Sequence, residues 1–126
     1  MSIQPGERIP EAILQYVADG VHKIDTLTLF EGRKLVLFSV PGAFTPTCSE
    51  RHLPGFVEHF DAFRERGIEV ACMAVNDPFV MQAWGESQHV PAGMRMLADG
   101  NADFTRALGL EMDASGFGMG TRSKRF

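Results

Sequence analysis

Leu35-Val36-Leu37-Phe38-Ser39-Val40 runs directly into Pro41-Gly42-Ala43-Phe44-Thr45-Pro46-Thr47-Cys48-Ser49, and this junction decides how the chain folds. The apolar run reads as a strand covered on both faces. Beyond the loop the spacing turns helical, with Leu53, Phe56, Val57, Phe60 and Phe63 on one face and an end near Gly67. Pro54 cannot donate to the carbonyl of Glu50, so a kink or break is expected there, leaving a short separable turn around Cys48. Cys48 thus falls just past a strand-to-helix turn. Unpaired N–H groups and the positive end of the helix dipole stabilise an anion at that place. A thiol held there can react as the thiolate.

Outward from this centre, residues 1–11 are polar with two prolines and read as an extended lead-in. Ala12 to Val17 is a strand, and Asp19-Gly20 closes a hairpin onto Val21 to Ile24. Thr26 to Phe30 is expected as another short strand, ended by Glu31-Gly32-Arg33-Lys34. Ile68 to Val75 is a second buried strand, rich in β-branched residues. Asp77 as N-cap and Pro78 at the first position open a helix whose apolar face is expected to be Phe79, Val80, Ala83 and Trp84. Met94 to Ala98 is a third strand, and Asp103 to Leu108 is a short helix stopped by Gly109. Residues 111–120, with three glycines, read as a loop, and Thr121 to Phe126 as the start of a further element. An N-terminal β-hairpin followed by βαβαβ makes an α/β fold, a central mixed sheet flanked by helices, compatible with a thioredoxin-like arrangement. At 126 residues, one domain over 1–126 is expected.

Composition narrows the function classes. A net charge of -4 argues against nucleic acid and anionic membrane as partners, since both select basic patches. No apolar run approaches the roughly 20 residues that span a bilayer, and the N-terminus lacks the regions of a signal peptide. Two cysteines are too few for a disulfide scaffold, so a reducing compartment, the cytoplasm, is the expectation. His52 and His59 have no third ligand at metal spacing, and Gly118-Met119-Gly120 lacks the context of a phosphate loop. Neither metal nor cofactor is expected. There is no CxxC, which argues against dithiol exchange as the main activity.

A reactive thiol also needs donors for the leaving group, a cation and limited water. Thr45, three residues before Cys48, can present its hydroxyl to the same small volume. Pro41 and Pro46 stiffen the loop, and with Phe44 they could shield the sulfur. The local sequence around Cys48 carries no basic residue before Arg51, which leaves Arg122, Lys124 and Arg125 as the distant supply of charge. The residues alone leave open the plainer alternative, that Cys48 is a small buried hydrophobe.

The run from Pro41 to Ser49, with His52-Leu53-Pro54-Gly55-Phe56 behind it, resembles the active-site segment of the type-five (type-two in plants) peroxiredoxins. Ala71-Cys72-Met73-Ala74-Val75-Asn76-Asp77-Pro78-Phe79-Val80, Trp84-Gly85 and Gly120-Thr121-Arg122-Ser123-Lys124-Arg125-Phe126 are similar to later parts of the same family. The resemblance implies a thioredoxin-like fold and a thiol peroxidase. Cys48 would be the peroxidatic cysteine, with Thr45 and Pro41 as partners and Arg125 facing the sulfur; Arg122 is the weaker match for that role. The substrates implied are hydrogen peroxide and organic hydroperoxides, with a sulfenic acid restored by glutaredoxin and glutathione or by thioredoxin. A homodimer is implied, with Phe44 and Phe79 near its interface.

Family members continue past the position of Arg125 with further strands and a helix. The expectation is therefore a C-terminally incomplete chain with Arg125 on a fraying end. Cys72 reads as a core thiol on the face of Val70 and Ala74, the alternative being a resolving cysteine. Outside catalysis, the competing reading is a redox-sensing or interaction module that signals through Cys48 oxidation.

Overall fold

Residues 2–126 are described by a computed structural model, and Met1 lies outside them. From residue 2 the expected lead-in has no regular structure. Ile13–Val17 (β1) and Val21–Asp25 (β2) then form the hairpin, with Val17 opposite Val21 and Asp19 and Gly20 both at positive φ in the turn. The strand expected over Thr26–Phe30 is instead a helical turn (α1). Asp25 caps it, accepting the Thr28 N–H at 2.7 Å. Thr26 and Leu29, at i and i+3, turn inward while Leu27 stays 54% exposed. The local cap thus outweighs the β-branched composition.

Lys34–Val40 (β3) is followed by a π-type turn, Cys48–His52, and by two helices, Leu53–Glu58 (α2) and Phe60–Glu65 (α3). The single helix expected to run on to Gly67 is broken at His59, where φ is -97° and ψ 9°. Just past this break Phe60 enters the core against Gly93, where an added Cβ would lie 2.9 Å from its Cζ. Ile68–Ala74 (β4), Pro78–Ser87 (α4), Arg95–Ala98 (β5) and Asp103–Leu108 (α5) follow as expected. The buried face of α4 differs from the expected one. Pro78, Met81, Trp84 and Gly85 face the core, while Phe79 and Ala83 are exposed. Its position on the sheet, rather than the apolar count, sets that rotation.

The strands order as β2-β1-β5-β4-β3. β3, β4 and β5 are parallel, and β1 is antiparallel to both β2 and β5. Along β4, Val70, Cys72 and Ala74 face the layer of α2, α3 and α4, while Ala71 and Met73 face the core shared with Leu14, Leu29 and Phe104. From Val70 onward both sides of β4 are therefore dry, which explains the unbroken apolar run from Val70 to Ala74.

The loop expected over 111–120 contains a second small sheet. Glu111–Asp113 (β6) pairs antiparallel with Thr121–Ser123 (β7) around a 3₁₀ turn at Ser115–Phe117. Strands of three residues are too short to show a period, so composition alone reads as loop. The chain end is not frayed either. Ser39 N–H donates to Phe126 O at 2.9 Å, Phe126 N–H donates to Ser39 O at 3.2 Å, and Lys124 N–H donates to Leu110 O at 2.7 Å. The first two bonds tie the segment to the outer edge of β3, and the third ties it to the residue before β6.

Candidate active site

The site grows out of the end of β3. Pro41 is half-buried there. Gly42 is packed so closely that an added Cβ would lie 2.9 Å from Met119 Cε and 3.1 Å from Thr45 Cγ2. Ala43 N–H donates to Asn76 Oδ1 at 3.0 Å, fastening the loop to the end of β4. Phe44 has φ 63°, a left-handed value that costs a non-glycine residue about 1–2 kcal/mol and has to be held by the surrounding contacts. Thr45 Oγ1 donates to Gly42 O at 2.6 Å and closes the loop.

Helical backbone begins at Pro46 and Thr47, and the Ser49 N–H donates back to Thr45 O at 3.0 Å. Leu53 N–H then donates to Cys48 O, five residues back rather than four. This wide turn directly precedes Pro54, which has no N–H to give. The expected kink is therefore a π turn within a continuing helix, with Cys48 at its head. Trp84 Nε1 donates to Ser49 Oγ at 2.9 Å and pins the turn to α4.

The sulfur of Cys48 is shielded differently from expectation. Phe44 is 55% exposed and Pro46 is exposed, yet Cys48 is 1% exposed within the cluster of Phe38, Val40, Ala43 and Leu53. The left-handed backbone at Phe44 turns its ring outward. Core residues of β3 and α2 cover the thiol instead.

Arg125 reaches this buried thiol from the other end of the chain. Its Nη2 donates to Cys48 Sγ at 3.3 Å and its Nη1 to His52 Nδ1 at 2.8 Å. At that distance the guanidinium is placed to stabilise negative charge on the sulfur. Arg122, the weaker candidate, is committed elsewhere, donating to Met119 O at 2.8 Å and to Val75 O at 2.9 Å. Thr45 stays in the loop, its hydroxyl hydrogen spent on Gly42 O; it makes no hydrogen bond to the sulfur. Its oxygen keeps acceptor capacity for a ligand.

The Arg125 segment is held by two buried serines. Ser123 Oγ donates to Lys124 O at 2.7 Å, and Ser39 Oγ lies 2.9 Å from Ser123 Oγ and 3.1 Å from Met73 O. Ser123→Ala leaves the Lys124 carbonyl and one side of Ser39 without a partner. Chemical denaturation should show a loss of about 1–3 kcal/mol. A loss under about 0.5 kcal/mol, the scale of a neutral surface change, would show that the pair does not hold the segment.

The redoxin family matches residues 4–126 of this chain. Peroxiredoxin-2E-2, chloroplastic, of Oryza sativa subsp. japonica is 48% identical over 132 residues, covering 99% of this chain and 59% of the relative. Peroxiredoxin-2B of Arabidopsis thaliana is 41% identical over 127 residues, covering 98% of this chain and 78% of the relative. The crystal structure of reduced Prx3 from Vibrio vulnificus in complex with H2O2 superposes with a TM-score of 0.93 at 51% identity, covering 98% of this chain and 78% of that one. The chain belongs to the peroxiredoxins. It has the thioredoxin-like fold, and it spans about three fifths of the length of the rice relative.

The second cysteine of the peroxiredoxin is a core thiol by its surroundings. Cys72 is fully buried opposite Phe38, and both cysteines are free. Burial, and secondly the neighbouring Cys48, push the Cys72 thiol far up, so it stays protonated and unreactive at neutral pH. Among the described residues no group of three or more His, Cys, Asp or Glu side chains converges to hold a metal, and no helix is long and apolar enough to cross a membrane.

In the sequence His52 stands in the segment that resembles the family's active site and as an unsupported metal ligand, with nothing there to place it beside Arg125. Its spacing from Cys48 did hold a signal, for His52 lies four residues after it, one helical turn along the same face. Its ring sits against Phe38 and Phe56, with centroids 5.1 and 5.8 Å away. Burial first, and Arg125 second, hold its pKa below the ordinary value of 6.5. Asn76 and the serine pair carried no such signal, because their partners are remote in sequence.

Proposed function

We propose that this chain reduces hydrogen peroxide and organic hydroperoxides through Cys48. The observation that carries the reading is the Arg125 Nη2 donor 3.3 Å from an almost fully buried cysteine sulfur. In this reading the sulfur, as thiolate, attacks one peroxide oxygen. The S–O bond forms as the O–O bond breaks, sulfur loses two electrons, and the departing oxygen takes a proton to leave as water or an alcohol. Cys48 becomes a sulfenic acid. Arg125, which already touches the sulfur, is placed to stabilise charge on the oxygen that leaves. Thr45 offers its free lone pairs to the peroxide hydrogen, and Pro41 limits water at the strand end. The buried, protonated Cys72 supports a mechanism with one cysteine. An external thiol then condenses with the sulfenic acid, releasing water, and a second thiol frees Cys48. Glutathione with glutaredoxin, or thioredoxin, fits that need.

The same reading places the chain in the cytoplasm, as a homodimer through the exposed Phe44 and Phe79, which are 55% and 63% exposed. Turnover is the test. Purified protein with glutathione and glutaredoxin, or with thioredoxin and its reductase, should consume many equivalents of peroxide per chain. A single stoichiometric oxidation with every reductant would replace the peroxidase by a redox sensor acting through Cys48.

A further inference from the structure

We propose that His52 is the positioning residue for Arg125, its unprotonated Nδ1 taking one arm of the guanidinium so that the other arm stays on the Cys48 sulfur. A guanidinium has only donors, so the 2.8 Å contact from Arg125 Nη1 makes Nδ1 the acceptor and puts the ring hydrogen on Nε2. Arg125 is a long side chain on an exposed residue, and one bond to sulfur leaves its planar fork free to turn. The second bond, to His52, fixes the fork. His52 is itself held by Phe38 and Phe56, and it stands on the same π turn as Cys48. One turn of backbone therefore sets both the sulfur and the acceptor that aims the cation at it.

The surroundings make this contact dependent on protonation. Arg125 faces the ring, with Cys48 on its other arm, and Arg51 and His59 share the cleft of about 390 Å³ with Gly55, Phe56 and Phe63. Among the described residues no carboxylate pairs with His52. A proton on Nδ1 would turn the acceptor into a donor and set one cation against another. Because the folded pKa lies below 6.5, the neutral ring is the form the fold favours. The arrangement is complete above that pH and is lost as pH falls through the lowered value. Arg125 then leaves the sulfur, and reaction at Cys48 slows.

The inference rests on the peroxidase reading, and the test separates the two. Nitrogen NMR of the full chain should show His52 as the Nε2–H tautomer at pH 7, titrating below an ordinary histidine. In Arg125→Met its midpoint should move back up. At pH 8, His52→Phe should react with peroxide at least about tenfold more slowly, the loss expected for one hydrogen bond to a charged group. His52→Asn places an amide oxygen near the position of Nδ1 and should recover the rate to within about threefold. An Nδ1–H tautomer at pH 7, or a folded His52→Phe within about twofold of the parent, overturns the proposal. If the parent fails to turn over peroxide, the peroxidase reading falls, while the tautomer and its response to Arg125 still decide the role of His52. If His52→Phe does not fold, the tautomer and the Arg125→Met titration decide it in the same way.

Discussion

Cys48→Ser is expected to abolish peroxide consumption, lowering the rate by about 10⁴-fold or more, on the scale of removing the nucleophile from a hydrolase. A serine hydroxyl in the same place is neither ionised nor oxidised at neutral pH. The substitution is gentle on the fold, because the smaller oxygen still accepts from Arg125, whose Nη2 lies 3.3 Å from the sulfur. Circular dichroism should therefore show a native spectrum beside the lost activity. The only other thiol, Cys72, is fully buried and held protonated, so it cannot substitute. Activity within tenfold of the parent, in a properly folded variant, would remove Cys48 from the mechanism.

Arg125→Met should lower the rate constant with peroxide by about 10²–10³-fold, the usual cost of deleting one preorganised donor to a developing oxyanion. Methionine keeps an apolar stem of similar reach and deletes the charge and both donors. The loss should fall on the chemical step and not on stability, because the backbone bonds of Lys124 and Phe126 hold the segment without the side chain. Arg122→Met is the control. It strips donors from Met119 O and Val75 O, so it should cost stability while sparing the reaction at the sulfur. Stopped-flow mixing with peroxide and thermal unfolding of both variants separate the two effects. Equal rate losses in the two would mean that charge near the site, rather than the aimed fork, is what matters.

Much of the fold is legible in the residues because its signals are local. The apolar runs of β3 and β4, the Asp19-Gly20 turn and the Asp77-Pro78 start each act within a few residues. The misreadings share a cause. At Thr26–Phe30 and over 111–120 the segments are too short for a period to emerge, so a cap or a pairing partner decides. On α4 the apolar residues outnumber those that one face can bury, and contact with the sheet selects Met81 and Trp84 over Phe79 and Ala83.

The site divides along the same line. The sequence by itself determined where the thiol would be, because a buried strand, a proline-stiffened loop and a helix start follow one another without interruption from Leu35 to Ser49. It also carried the family resemblance that singled out Arg125. Only the tertiary structure decided that Arg125, 77 residues away, arrives at the sulfur, that Arg122 does not, and that His52 receives the other arm of the fork. The physical reason is the edge of β3. Ser39 and Phe126 exchange backbone bonds there, and the Ser39–Ser123 contact lies buried beside them. A contact of that sequence separation has no local signature. It exists because the end of β3 and the segment following β7 exchange backbone hydrogen bonds.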